Sequence, residues 1–128
     1  MRFAIALALA LHGLIHLIGF VVPWRLAEIR GFAYSTSAAW GRIQLGDAGA
    51  RAIGLAWLMG SLAFVLAAAA VWQGAARAVQ ATAIAAALSA LLCLAGSPAA
   101  VADLVIDILI LMGLLVAHWT GWLARVGA

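Results

Sequence analysis

The chain has 128 residues, of which 69% are hydrophobic and 9% are charged. A soluble domain of this size needs a polar surface that so few charged side chains cannot supply, so the composition excludes an ordinary soluble protein and indicates one small integral membrane domain over residues 1–128. The net charge of +3 comes from single arginines near the ends of apolar runs. That distribution is typical of interfacial anchors, and it argues against nucleic-acid binding, which needs a basic patch.

The first predicted span covers residues 3–22. Twenty residues at ~1.5 Å each reach ~30 Å, the thickness of the hydrocarbon core. Arg2 before this run would also suit a secretory signal peptide, but no small-x-small cleavage site follows, where Pro23 and Trp24 come next. The pattern therefore favours an uncleaved first helix.

A longer polar stretch, residues 23–50, follows this span. Pro23 suits the first position of a helix and Gly31 suits a stop, so Trp24–Arg30 is predicted to form a short interfacial helix. Residues 40–46 alternate polar and apolar side chains, although the run is short for a strand. Asp47 is predicted to be the N-cap of the next helix.

Three further spans are predicted over residues 52–72, 79–95 and 99–123. Gly74 and Gly96 act as stops, and Ser97-Pro98 is predicted to open the last helix. Trp119, Trp122 and Arg125 would form an aromatic and cationic belt at its end. Short turns make these three helices antiparallel neighbours, so the fold class is all-α, a four-helix transmembrane bundle with one longer loop.

Four spans place both termini on one side of the membrane, here called side A, and the loop 23–50 on the other, side B. Arginines divide almost evenly between the two sides, so the positive-inside rule gives a tie. We expect a bacterial inner membrane with cytoplasmic termini, because small bundles commonly have them.

Ionisable residues inside membrane helices are costly, at ~2.5–3.5 kcal/mol for Asp on insertion scales, so each calls for a reason. His12 and His16 lie one turn apart in the first span. At about 100° per residue, Asp103, Asp107 and His118 fall within about 60° of one another on the last span. A third polar face, within about 40°, is predicted on the helix over residues 79–95; its members are Thr82, Ser89 and Cys93. We expect these polar faces to meet inside the bundle.

Counting ~1.5 Å per residue from each end places His16 and Asp107 at matching depth, with His12 just beneath them toward side A. Arg51, at the side-B start of the second span, would close over this group with the loop. His118 lies about 15 Å or more from Asp107 toward side A and forms a second polar position.

Three interpretations of this cluster are open. His16 and Asp107 are a hydrogen-bonded pair that fixes helix register, or His12, His16, Asp103 and Asp107 are a proton or ion relay. In the third, His12, His16 and Asp107 hold a metal ion with two imidazoles and a carboxylate. No other cofactor is predicted. Cys93 is expected to be a small core residue, since the chain has no second cysteine.

Two stretches resemble a known group of proteins: Leu11-His-Gly-Leu-Ile-His-Leu-Ile-Gly-Phe20 and Gly46-Asp-Ala-Gly-Ala-Arg-Ala-Ile-Gly-Leu-Ala-Trp57. They are similar to small bacterial four-helix integral membrane proteins, some of them catalogued as ABC transporter permeases. The His-Gly pair also resembles DoxX-like four-helix proteins. The resemblance is clearest over residues 5–65 and implies a small four-helix integral membrane protein.

No nucleotide-binding loop, nucleophile elbow or catalytic triad is present in the sequence, so we expect a protein that is not an enzyme. Three function classes follow: a non-enzymatic transport-related or assembly component, a small proton- or ion-coupled transporter, and a membrane redox or metal-handling protein. The expected partners are the lipid bilayer and either further copies of the chain or a larger membrane complex, and no nucleic acid.

Overall fold

The structure, a computed structural model, describes residues 1–121 and is all-α except for one small hairpin. The helices and strands are α1 Arg2–Ile15, α2 Leu17–Val21, β1 Ser37–Ala38, β2 Ile43–Gln44, α3 Gly46–Gln73, α4 Ala78–Gly96 and α5 Val101–Trp119. α1 and α2 together, α3, α4 and α5 are each long and apolar enough to cross a membrane. The predicted four-helix bundle is thereby confirmed. The predicted end of the last span, with Trp122 and Arg125, lies outside the described residues.

The first span is interrupted at His16, which separates α1 from α2. The imidazole Nδ1 of His16 donates to the carbonyl oxygen of His12 at 2.9 Å. That oxygen is the one a regular helix would offer to the backbone N–H of His16, which instead donates to Gly13 at 3.2 Å. A side chain that takes a backbone acceptor in this way tightens the helix locally.

The interfacial helix predicted over Trp24–Arg30 is wrong, because those residues form turns, irregular backbone and an isolated bridge between Ile29 and Phe32. The first span ends instead in a Schellman-type reversal. The N–H of Leu26 donates to the carbonyl of Val21 at 3.0 Å and that of Arg25 to Val22 at 2.9 Å, with Arg25 at φ 53°. These bonds satisfy carbonyls at the end of the helix, so Pro23 lies in a terminal turn and not at the start of a new helix.

The loop on side B folds back over the end of α4. β1 and β2 pair as an antiparallel hairpin. Between them, Ala39 and Trp40 adopt left-handed conformations, and their N–H groups donate to the carbonyls of Ala95 and Ser97 at 2.8 and 2.9 Å. A left-handed non-glycine residue costs about 1–2 kcal/mol, and here the hydrogen bonds to carbonyls at the end of α4 offset that cost.

Two predicted caps are wrong. α3 begins at Gly46, so Asp47 lies in its first turn; its carboxylate accepts hydrogen bonds from the Tyr34 hydroxyl and from Arg25. Ser97 ends α4, donating to the carbonyl of Cys93 at 2.7 Å. Both side chains therefore bind partners in the loop or the preceding helix instead of the N-terminal amides of the helix that follows.

The backbones pack in chain order. α1 and α2 lie against α3, α3 against α4, and α4 against α5, whereas α5 makes at most sparse backbone contact with α1 and α3. Glycines allow the first of these contacts. A Cβ at Gly13 would lie 2.7 Å from Phe64 Cβ, and one at Gly19 would lie 2.4 Å from the Trp57 ring. Only a bare backbone fits at either place, as at other close helix crossings in membranes.

We expect Gly13→Ala to destabilise the protein by about 1–3 kcal/mol, because the added methyl group forces α1 away from α3. The measurement is thermal unfolding of detergent-solubilised protein. Gly113→Ala is the matched control, since a Cβ there meets open space. The control should be neutral or slightly stabilising, and equal effects of the two substitutions would contradict the packing argument.

Candidate functional site

Four polar side chains from three helices meet in the interior: His12 and His16 of the first span, Ser89 of α4 and Asp107 of α5. His16, Ser89 and Asp107 are 0% exposed and His12 is 5% exposed. Asp107 is the only buried residue among those described in α5. We call these four residues the polar network.

Asp107 is the centre of the network. One carboxylate oxygen, Oδ1, accepts a hydrogen bond from His12 Nε2 at 2.9 Å. The other, Oδ2, bonds to the Ser89 hydroxyl, and Ser89 in turn bonds to Nε2 of His16. The network thus runs His12–Asp107–Ser89–His16 and returns to α1 through the bond from His16 Nδ1 to the His12 carbonyl.

The hydrogen bonds of the network determine how many hydrogens its side chains must carry. A carbonyl only accepts, so Nδ1 of His16 carries a hydrogen. Two hydrogen bonds then join His16 Nε2, Ser89 and Asp107 Oδ2, and the serine supplies one hydrogen for them. The second is an acid proton, which lies either on Nε2 of His16 or on Oδ2 of Asp107. Both placements satisfy both bonds, with the serine hydrogen pointing in opposite directions.

The same reasoning indicates which ring nitrogen of His12 carries a hydrogen. Its Nε2 faces a carboxylate oxygen, so this nitrogen carries the hydrogen. The other ring nitrogen, Nδ1, is buried without a hydrogen-bond partner in the described chain. A hydrogen at Nδ1 would be a buried unsatisfied donor, which costs about 1–3 kcal/mol. The lack of a partner for Nδ1 favours a neutral His12 that donates to Asp107.

Aromatic rings from α3 surround the two histidines. The Phe64 ring lies 4.7 Å from that of His12 and 5.3 Å from that of His16, and the Trp57 ring lies 5.2 Å from that of His16. Cys93 Sγ lies 3.6 Å from Asp107 Oδ2. The predicted role of Cys93 as a buried core residue agrees with its full burial, and it also contacts the carboxylate.

The expected direct pair of His16 and Asp107 is wrong in one respect: His12 makes the direct contact, and His16 reaches the carboxylate through Ser89. The reason is the helix break, which commits His16 Nδ1 to the backbone and directs Nε2 toward α4. Sequence reasoning missed Ser89 as a member of the site, although it lies on the same predicted polar face as Cys93.

The remaining predicted residues lie outside the network. Asp103 is half-buried one turn nearer side B. Arg51 is exposed, with its guanidinium 5.9 Å from the Trp24 ring and its backbone carbonyl accepting from the Trp24 indole. His118, predicted to face the interior with Asp107, is exposed near the other end of α5, so that prediction is wrong. Neither Arg51 nor His118 hydrogen-bonds to the network.

A cavity of about 230 Å³ lies on the side-B flank of the network, between the loop and the ends of α2, α3, α4 and α5. Trp57 lines it and also contacts His16, so the indole lies between the cavity and that histidine. Asp103 is the one charged residue in the lining that the structure describes. The cavity therefore places a carboxylate between side B and Asp107.

Donor atoms of His12, His16 and Asp107 lie within 4.8 Å of one another, near enough to share a metal ion. These side chains already face hydrogen-bonding partners, however, and a metal would have to replace the hydrogens between them. The donor set suits Zn²⁺ or Cu²⁺ chemically, whereas the described side chains contact one another as a hydrogen-bonded network.

No family model, curated protein or solved structure matches the chain.

Ser89→Ala should lower the free energy of unfolding by about 1–3 kcal/mol, because it leaves His16 Nε2 and Asp107 Oδ2 without their shared partner. The check is thermal unfolding in detergent beside Ser61→Ala, a buried serine of α3 outside the network. A loss no larger than that of the control would show that the bridge contributes nothing to stability.

Proposed function

We propose that this chain is a non-enzymatic, proton-coupled transport component of a bacterial inner membrane, in which the polar network passes a proton toward side B. The observation that carries the proposal is the Ser89 bridge, in which a buried hydroxyl joins an imidazole to a carboxylate. The hydrogen count gives this bridge one acid proton to share.

The transfer needs no new contact. A proton leaves Nε2 of His16 for the Ser89 oxygen while the serine hydrogen passes to Oδ2 of Asp107. The serine ends as it began, with its hydrogen replaced, and the imidazolium and carboxylate become a neutral imidazole and a neutral acid. Both end states carry no net charge, which suits a site at membrane depth.

Loss of the shared proton would couple proton movement to the entry of another cation. Without it, the buried side chains carry a net charge of −1, and an uncompensated buried charge is strongly destabilising. A proton or another cation must then return. Asp103, one turn from Asp107 on the same face of α5, gives such a cation a route through the cavity from side B.

The resemblance to small bacterial four-helix membrane proteins, some catalogued as permeases, fits this proposal. We further propose that the chain functions as a homo-oligomer or within a larger membrane complex, since four helices enclose little volume and α5 leaves most of its surface uncovered. Cytoplasmic termini are part of the same proposal and place side B on the outer face.

The proposal predicts proton flux in liposomes that contain the purified protein and an internal pH-sensitive dye, when a potassium diffusion potential is imposed. Asp107→Asn should reduce the flux to that of empty liposomes, because an amide cannot take the shared proton. Glu28→Gln, which removes a carboxylate exposed on the loop, is the control and should keep the wild-type flux. Wild-type flux no greater than that of empty liposomes would contradict the proposal.

Elemental analysis of protein purified without a His tag tests the metal-handling alternative. The proton-relay proposal predicts no stoichiometric Zn, Cu or Mn. One metal per chain in the wild type, lost in both His16→Phe and Asp107→Asn, would favour metal handling and overturn the relay.

A further inference from the structure

We infer that the cavity on side B is a binding site for a small organic cation, an ammonium group on a compact apolar body, held by Asp103. The argument for binding depends only on the cavity. The role of this cation as the substrate exchanged against protons rests on the proposed function.

The charge of the site argues for a cation. Asp103 makes no hydrogen bond or ion pair with another of residues 1–121, and it is the one charged residue among those that line the cavity. It lies in the first turn of α5. The carboxylate therefore lines the cavity without a cationic partner among the described residues.

The walls argue for an organic cation over an inorganic one. Ile15, Ile18 and Val22 line one side of the cavity, and Ile53 lines another. A sodium or potassium ion would need several oxygen ligands in place of its water, and the serine hydroxyls of the lining, from Ser35, Ser37 and Ser97, already form hydrogen bonds within the protein. An alkylammonium group can leave its apolar part against these side chains while its charge faces Asp103.

Aromatic rings strengthen the same argument. Trp57 and Phe32 both line the cavity. A cation over the face of an aromatic ring gains about 0.5–2 kcal/mol, most for tryptophan and for a desolvated site. The ammonium group would therefore find a carboxylate and aromatic rings in one cavity, a combination that recurs in sites for quaternary ammonium groups.

The size of the cavity limits the ligand. Its volume of about 230 Å³ is below the ~300–1,000 Å³ that is usual for drug-sized ligands. A single ring with a short ammonium arm suits it, whereas a larger multi-ring cation does not. Benzyltrimethylammonium is a suitable probe.

The test is isothermal titration calorimetry of benzyltrimethylammonium into detergent-solubilised protein, with benzyl alcohol as a neutral comparison. We expect the ammonium compound to bind, and Asp103→Asn to weaken its binding about tenfold or more, the loss expected for a charged partner. Glu28→Gln removes a charge on the same side outside the cavity and should bind as the wild type does. Ala33→Trp is a second variant in case Asp103→Asn does not fold. It fills the cavity from an exposed loop position, and we expect it to weaken binding as well.

The cation site is overturned if Asp103→Asn binds benzyltrimethylammonium as tightly as the wild type does. It is also overturned if Glu28→Gln weakens binding as much as Asp103→Asn does, or if the wild type does not bind the compound. Asp107→Asn separates this inference from the proposed function, because it should abolish proton flux and keep benzyltrimethylammonium binding. Binding without wild-type flux would refute the relay alone, and flux without binding would refute the cation site alone.

Discussion

The hydrogen bonds that converge on Asp107 connect α5 to the rest of the bundle. α5 packs its backbone closely against α4, and Asp107 is its one buried residue in the described chain. Through Oδ1 this carboxylate reaches His12 of α1, and through Oδ2 it reaches Ser89 of α4. Helices in lipid gain little from apolar burial against one another, so hydrogen bonds and close packing must hold them.

The other features of the interior serve this arrangement. The glycines at 13 and 19 let α1 and α2 approach α3, which brings Phe64 and Trp57 against the two histidine rings. The break at His16 turns that ring toward α4. Burial makes the hydrogen bonds of the network electrostatically strong, and it also makes a lone buried charge costly, which is why the proposed function depends on one shared proton.

The sequence predicted the spans and the inward position of His12, His16 and Asp107, because hydropathy and helical periodicity are properties of the chain itself. It was wrong for His118, which is exposed. It did not predict which histidine contacts Asp107. That choice depends on the break at His16, which arises from competition between a side chain and a backbone N–H for one carbonyl. Ser89 was visible only as part of a polar face, and its bridging role depends on the crossing of α1, α4 and α5. The predictions for the loop were wrong for a related reason. Pro23 and Asp47 are residue types that often start helices, but here Pro23 lies in the turn that ends the first span and the Asp47 side chain binds Tyr34 and Arg25.

Infrared difference spectroscopy of the protein between two pH values tests the shared proton most directly. The account predicts that bands of the Asp107 carboxyl group and of a histidine ring change together in the wild type. Asp107→Asn should remove the carboxyl band, and Ser89→Ala should separate the two changes in pH. If the carboxyl and imidazole bands of Ser89→Ala still change together, at the same pH as in the wild type, a proton shared through the serine is contradicted.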